Sequence, residues 1–323
     1  MSVLSLIIPC FNEERSLPSL IDTLRNVKFD FSEEIHLEII IIDDGSHDRT
    51  ANVALTLAKA NNDLATWQIL ELSRNFGKEA ALLAGLDHCK GDACVFLDAD
   101  SQDPPELIPN LVQKWLFEGA EVVNTVRRTR AGDGWLKVLS AFLFYRIFKK
   151  ISRLDVRLDS SDYRLLDKMV IKAICSCREQ VRFSKGFVAW AGFNQSSIEY
   201  DRPPRKSGNS EWSTWKLWNY ALDGIFSFST IPLRIWTYIG LSMAIISVAY
   251  AICITVKALL GSINVPGYAS IVAIISFLGG IQLMGIGIIG EYIGRIFIES
   301  KKRPIYVIKN RLITEGSGNN EYG

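Results

Sequence analysis

The chain has 323 residues, a length that accommodates one large domain with an appended segment, or two domains. Its 36 basic and 35 acidic residues leave a formal net charge of +1, so nothing in the charge balance supports nucleic-acid binding. Six cysteines without a CxxC pair and only three histidines argue against a zinc site, and the apolar excess is concentrated towards the C-terminal end.

Apolar strand patterns alternate with helical patterns through the N-terminal part of the chain. They predict strands at 4–10, 38–43, 66–73 and 92–100, and helices at 17–24, 50–60 and 78–89. Because the strands are apolar throughout, they predict a Rossmann-like, mostly parallel sheet with helices on both faces, which is an α/β fold. Ligands of such sheets bind beyond the carboxyl ends of the strands.

Three polar segments follow predicted strands, at 9–13, 43–46 and 98–100. Since the carboxyl ends of parallel strands lie at one edge of the sheet, these loops are expected to converge on one crevice. The third segment begins a run of carboxylates, VFLDADSQDPPE (95–106), which fits a solvated turn, a helix cap or a cation site. Residues i and i+2 of an extended chain point the same way, so Asp98 and Asp100 are expected to face the crevice together.

Two long apolar runs in the C-terminal part predict membrane spans at about 235–260 and 268–293. The first run carries only Lys257, near its end, and the linker between the runs is short and uncharged. The spans are therefore expected to form a transmembrane hairpin within residues 231–299, followed by a basic tail at 300–323. Glycines in the second run fit close packing either within the hairpin or between subunits.

Basic residues flank the hairpin at Arg234, Arg295, Lys301, Lys302, Arg303, Lys309 and Arg311. By the positive-inside rule both ends of the hairpin are cytoplasmic, and so are the large N-terminal domain and both termini of this multi-pass protein. Two further segments, 133–153 and 212–228, combine apolar or aromatic faces with basic residues, which predicts helices lying in the membrane interface.

Six motifs occur in order along the chain: IPCFNEE, IIDDGSHDRT, LSRNFGKEAALLAGLDHCKGDA, FLDADSQDPPE, LDSSDYRLLD and ALDGIFSFSTIPLR. Together they closely resemble family 2 glycosyltransferases of the polyprenyl-phosphate type, which include bactoprenol glucosyltransferases and dolichol-phosphate mannose synthases. The resemblance covers about residues 1–300. It implies a GT-A domain at 1–230, a nucleotide-sugar donor, a Mg²⁺ or Mn²⁺ cofactor and a homo-oligomer.

The resemblance also implies roles for the crevice residues. Asp100 is the expected direct metal ligand, Asp98 contacts the ion through water or holds the sugar or ribose, and Gln102 lies near the metal. Hard divalent cations prefer such oxygen ligands. The residues expected at the nucleotide sugar are Pro9, Phe11, Asn12, Glu13, Asp44, Gly45, Asn75, Gly77, Lys78, Asp98, Ala99 and Asp100.

On the acceptor side, Asp159 and Asp162 lie in the segment that resembles the family's catalytic-aspartate loop, and spacing does not decide between them. Asp98 is the third candidate catalytic carboxylate. Guanidinium groups bind phosphate well, and the expected acceptor-phosphate ligands are Arg164, Arg202, Arg205 and Ser210. Many relatives place a lysine after that serine or threonine, whereas this chain has Glu211, and Lys206 is one possible replacement.

The nearest resemblance, to bactoprenol glucosyltransferases, predicts an inverting enzyme of the bacterial inner membrane. It is expected to move glucose from UDP-glucose onto undecaprenyl phosphate, for O-antigen or cell-envelope glycan modification. GDP-mannose or an aminoarabinose donor is the alternative. No nucleic-acid partner is expected.

Overall fold

The computed structural model describes residues 2–29, 34–100, 102–127, 160–201, 229–259 and 267–314. The chain divides into two compact units. The first, here called the sheet unit, comprises Met1–Ala221 and Pro304–Gly323, and the second, the helical unit, is Leu222–Arg303. The predicted interfacial helices at 133–153 and 212–228 lie outside the described residues.

An eight-stranded sheet organises the sheet unit. Its strands are β1 (Ser2–Cys10), β2 (Ile35–Asp43), β3 (Thr66–Leu72), β4 (Ala93–Phe96), β5 (Val122–Arg127), β6 (Ser160–Asp167), β7 (Gln195–Tyr200) and β8 (Ile308–Thr314). Their order across the sheet is β7-β5-β6-β4-β1-β2-β3-β8. β1 to β4 pair in parallel, as do β5 and β7, whereas β6 and β8 run antiparallel to their neighbours. The predicted Rossmann-like, mostly parallel sheet is confirmed.

Helices cover both faces of this sheet. They are α1 (Leu17–Arg25), α2 (Thr50–Ala60), α3 (Lys78–His88), α4 (Ile108–Glu118, after a 3-10 turn at Pro105–Leu107), α5 (Lys168–Ser176) and α6 (Ser184–Ala191). Neighbouring residues of a strand point to opposite faces. Ile8 of β1 belongs to the same apolar cluster as Leu20 and Leu111, from α1 and α4. Ile7 faces α3 instead, where a Cβ on Gly85 would lie 2.4 Å from Ile7 Cγ2, so glycine permits this close helix–strand contact.

The strand β8 returns from the far end of the chain and pairs antiparallel with β3 at the edge of the sheet. The Lys309 ammonium donates to Glu71 at 2.6 Å, and the Tyr306 hydroxyl donates to Asp87 at 2.7 Å. Sequence analysis treated 300–323 only as a basic tail. The sequence IKNRLIT lacks the apolar pattern that predicts a strand, because its central residues are polar and exposed. A strand at the edge of a sheet permits such residues.

The helical unit contains two long helices, α7 (Ile231–Leu259) and α8 (Tyr268–Ser300). At about 1.5 Å per residue they are roughly 43 and 50 Å long, more than the hydrocarbon core of a bilayer requires. Their most apolar windows, Leu233–Tyr250 and Phe277–Ser300, are not buried within the protein. Length and composition therefore make both helices candidate membrane spans, close to the predicted 235–260 and 268–293.

The glycines of α8 divide by what surrounds them. A Cβ on Gly285 would lie 3.7 Å from the Trp236 ring of α7, so this glycine packs within the hairpin. Among the described residues, a Cβ on Gly279, Gly280, Gly287 or Gly290 would meet nothing within 4 Å. The predicted homo-oligomer is not tested by a single chain and remains a prediction.

Candidate active site

The predicted crevice forms where β1, β2 and β4 end side by side. The backbone amide of Asp44 donates to Cys10 O at 2.9 Å, and that of Leu97 donates to Ile7 O at 3.0 Å. The first bond lies at the shared end of β1 and β2, and the second lies just after the end of β4, beside Ile7 of β1. The three polar loops therefore begin at one edge of the sheet.

The loops after β1 and β2 are joined by hydrogen bonds between side chains and backbone. The Asn12 amide donates to Ser46 Oγ, and the His47 amide donates to Asn12 Oδ1, both at 2.9 Å. Asn12 has φ +57°, a left-handed conformation that asparagine tolerates. The Glu13 amide donates to Thr50 Oγ1 at 2.9 Å. Asn12 and Glu13, both predicted at the nucleotide, are thus held by the neighbouring loop.

Asp44 fixes a third loop, the segment 73–77 that follows β3. Its two carboxylate oxygens accept the backbone amides of Phe76 at 2.7 Å and Gly77 at 2.9 Å. Burial raises the pKa of Asp44, although these two hydrogen bonds act to lower it. Asp44 was predicted to lie at the nucleotide sugar, and its contact with this loop was not predicted from the sequence.

Gly45 allows the same loop to approach the end of β2. It has φ +67°, and a Cβ at this position would lie 2.4 Å from the backbone carbonyl carbon of Arg74. Any other residue would therefore be strained and would push the loop away. Asn75 of this loop is exposed, and Pro9, Phe11 and Gly77 are half-buried at the crevice.

Lys78, the first residue of α3, lies between two of the predicted catalytic carboxylates. Its ammonium is 2.6 Å from Asp98 Oδ1 and 3.0 Å from Asp162 Oδ2. Burial alone would lower the pKa of Lys78, but the two carboxylates raise it well above its ordinary value. The lysine thus stays charged and neutralises carboxylates that come from β6 and from the loop after β4.

Asp162 has a second ammonium beside its other oxygen. Lys185 Nζ, in the first turn of α6, lies 3.7 Å from Asp162 Oδ1. Burial would raise the pKa of Asp162, but the positive charges of Lys78, Lys185 and Arg164 hold it well below its ordinary range. Asp162 is therefore a carboxylate anion under all ordinary conditions.

The loop after β4 presents oxygen ligands that fit a divalent cation. Asp98 and Asp100 are half-buried, Ala99 between them is buried, and Asp100 Oδ1 accepts the Gln102 amide at 3.1 Å. Within the described residues, no group of three or more His, Cys, Asp or Glu side chains is arranged to hold a metal ion. The carboxylates of Asp98 and Asp100 and the side-chain oxygen of Gln102 suit Mg²⁺ or Mn²⁺. Such an ion would take its remaining ligands from water and a substrate diphosphate.

The predicted acceptor residues are only partly described. Arg164 is buried in β6, and its Nη2 donates to Ser161 O at 2.8 Å. Its charge contributes to the low pKa of Asp162, so it acts on the site electrostatically. Asp159, Arg202, Arg205 and Ser210 lie outside the described residues.

A contact between the first turns of α3 and α6 was not predicted from the sequence. Glu79, next to Lys78, accepts the Ser184 amide at 3.2 Å and also the Ser184 hydroxyl. Burial raises the pKa of Glu79, against the effect of the Ser184 hydrogen bonds. The two residues are 105 positions apart, and no local pattern connects positions so distant in sequence.

Comparison with known proteins agrees with these features. Residues 5–175 match Glycosyl transferase family 2, and residues 231–296 match the GtrB C-terminal hairpin. The chain is 45% identical to the bactoprenol glucosyl transferase of Shigella phage SfV, over 95% of this chain and 98% of that protein. It is 44% identical to a prophage bactoprenol glucosyl transferase homolog of Escherichia coli K12, over 95% of this chain and 98% of that protein.

A solved structure shares the fold of the sheet unit. Glucosyl-3-phosphoglycerate synthase from Mycobacterium tuberculosis, in complex with Mn²⁺, UDP-glucose and phosphoglyceric acid, aligns with a TM-score of 0.50 at 18% identity. The alignment covers 70% of this chain and 78% of that one, and it confirms the predicted GT-A fold. The chain belongs to glycosyl transferase family 2 and carries the C-terminal hairpin of the GtrB type.

Proposed function

We propose that this glycosyltransferase moves glucose from UDP-glucose onto bactoprenol (undecaprenyl) phosphate at the cytoplasmic face of a bacterial inner membrane. The observation that carries the proposal is the cluster of Lys78, Asp98 and Asp162 at the strand ends, in a family 2 chain with a GtrB-type hairpin. The relatives named bactoprenol glucosyl transferase, matched over nearly the whole chain, support both glucose and the lipid acceptor.

On the donor side, the reaction breaks the bond between glucose C1 and the diphosphate oxygen, and UDP leaves with the electron pair. A bound Mg²⁺ or Mn²⁺ supplies positive charge to that leaving group. Asp100, Asp98 and Gln102 are the residues that would hold the ion. The protein's own contribution is Lys78, which lies between the metal-binding loop and Asp162 and can bind the same diphosphate.

On the acceptor side, an oxygen of the lipid phosphate forms a new bond to C1 from the opposite face, which inverts the configuration. A phosphate monoester has a second pKa near 6, so this oxygen is already largely ionised at neutral pH. A strong general base is therefore unnecessary, and the low pKa of Asp162 makes it a poor one. Asp162 acts instead by holding two lysines in position.

The membrane location rests on the hairpin and on chain connectivity. The chain leaves the sheet unit before α7 and re-enters it at Pro304, after α8. Both segments of one folded unit must lie on the same side of a bilayer, so the chain crosses an even number of times. Two spans satisfy this requirement, and the basic flanks support the cytoplasmic side for the sheet unit and both termini.

The donor can be tested with membranes that contain the protein. They are incubated with Mg²⁺, undecaprenyl phosphate and one labelled donor at a time: UDP-glucose, GDP-mannose or an aminoarabinose nucleotide. We expect organic-extractable label from UDP-glucose alone. Label from another donor in its place would reject glucose and would leave polyprenyl-phosphate glycosyl transfer intact. A role of the product in O-antigen or envelope modification is part of the same proposal.

A further inference from the structure

We propose that Lys185 binds the phosphate group of the acceptor lipid. The inference rests on the proposed function and adds a residue that sequence analysis did not select. It starts from the two ammonium groups that contact Asp162 through different oxygens, Lys78 at Oδ2 and Lys185 at Oδ1.

The two lysines occupy different sides of this carboxylate. Lys78 also contacts Asp98, which belongs to the loop expected to hold the metal and the donor diphosphate. Lys185 approaches Asp162 from α6, at Oδ1, whereas the ion pair of Lys78 is with Oδ2. We therefore assign Lys78 to the donor side, next to the metal-binding loop, and Lys185 to the acceptor side.

A lysine on the acceptor side would reduce the repulsion between the negative charges of the reaction. The acceptor phosphate has to come within bonding distance of a sugar that is still attached to a diphosphate, and like charges at such distances repel strongly. Asp162 adds a further negative charge. Charges interact more strongly in a partly buried site than in open water. The Lys185 side chain is only 16% exposed, so its ammonium can reduce this repulsion effectively.

The backbone next to Lys185 is held by hydrogen bonds to α3. Its neighbour Ser184 donates its backbone amide and hydroxyl to Glu79, and Glu79 directly follows Lys78. These bonds join the starts of α3 and α6, the helices that carry Lys78 and Lys185. Arg182 strengthens the same turn by donating to Cys177 O at 2.6 Å and lying over the Phe187 ring.

The test uses the purified full-length protein, with steady-state kinetics in which UDP-glucose and undecaprenyl phosphate are varied separately. We expect Lys185→Met to raise the KM for undecaprenyl phosphate by about 10- to 100-fold, the effect of losing one hydrogen bond to a charged group. The KM for UDP-glucose and the Kd for UDP should stay within about twofold. Lys185→Arg, which keeps the charge, should restore most of the acceptor affinity.

Lys168→Met is the matched control. Lys168 pairs with Asp92 at the amino end of β4, and the site lies beyond the carboxyl end of the same strand. It should leave both KM values unchanged. Inorganic phosphate, tested as an inhibitor against undecaprenyl phosphate, separates recognition of the phosphate from recognition of the lipid. Its inhibition constant should rise with the acceptor KM in Lys185→Met.

Three outcomes would overturn the assignment. Weaker UDP binding with an unchanged acceptor KM would place Lys185 on the donor side, and a fall in kcat alone would make it only a support for Asp162. Unchanged kinetics would remove it from the site. A wild-type protein that transfers nothing from UDP-glucose to undecaprenyl phosphate would instead reject the proposed function, so the two failures are distinguishable.

Discussion

At the scale of single residues, the like charges at this site are balanced by lysines. Asp98 and Asp162 share Lys78, and Asp162 has Lys185 beside its other oxygen. Asp100 lies two residues after Asp98 and accepts the Gln102 backbone amide within its own loop, and we propose it as the direct ligand of a divalent cation.

The variant Asp100→Ala tests whether Asp100 binds the divalent cation. Because Asp100 is the proposed direct ligand of the ion, we expect the variant to bind Mn²⁺ weakly in the presence of UDP and to transfer glucose at least about 100-fold more slowly. Electron paramagnetic resonance of free Mn²⁺ measures the binding directly. Asp92→Ala, which removes a carboxylate at the other end of β4, is the control. Wild-type Mn²⁺ affinity in Asp100→Ala would refute the assignment.

The pH dependence separates an orienting Asp162 from a catalytic base. Burial acts to raise the pKa of Asp162, but the adjacent lysines hold it well below its ordinary value. Any stability that this ion pair contributes to the fold therefore persists at neutral pH. It is lost only as the pH falls through the depressed folded-state value. Asp162 thus cannot cause a loss of activity near pH 6.

We therefore expect the acid limb of the kcat/KM profile to follow the second ionisation of the acceptor phosphate, near pH 6. Asp162→Asn should lower the rate, by about 10- to 100-fold as for other positioning groups, and should leave the midpoint of that limb unchanged. The measurement is kcat/KM for undecaprenyl phosphate between pH 5 and about 9. Disappearance of the acid limb in the variant would show that Asp162 is the base.

At the scale of elements, prediction from sequence worked where one strand or helix carries its own signal. β1 to β3 are largely apolar runs, and α7 and α8 are long and nearly uncharged, so both sets were predicted with bounds close to those observed. The prediction for β4 was too long: the strand ends at Phe96, and the predicted residues 97–100 lie in the following loop. β8 was missed because an edge strand needs no such pattern. The contacts of Lys185 with Asp162 and of Glu79 with Ser184 were missed because only the folded sheet brings those residues together.

β8 gives a prediction about stability. Deleting residues 304–323 removes the strand and the bonds of Tyr306 and Lys309, and it exposes the edge of β3. We expect the thermal midpoint of the purified protein to fall by several degrees or more, since a typical intramolecular hydrogen bond contributes about 0.5–1.5 kcal/mol and the deletion removes several. Deleting only 315–323 leaves the strand intact and should have no effect. Equal midpoints for the two deletions would mean that β8 does not stabilise the sheet.

At the scale of the whole molecule, the two candidate membrane helices lie in sequence between two segments of the sheet unit. The sheet unit is interrupted by the helical unit and is completed by a strand that follows both long helices. Sequence analysis predicted the hairpin and the GT-A domain from separate signals, but the return of the chain to the sheet follows only from the structure. It agrees with the prediction that both ends of the hairpin lie on one side of the membrane.

The chemical identity of the product tests the central claim most directly. Purified protein, UDP-glucose, Mg²⁺ and undecaprenyl phosphate should yield a lipid whose mass equals that of undecaprenyl phosphate plus one hexose residue. Because the acceptor oxygen attacks the face opposite to UDP, the anomeric proton of that product should report a β-linkage by nuclear magnetic resonance. A product with an α-linkage, a free hexose without lipid product, or unchanged undecaprenyl phosphate would contradict the account.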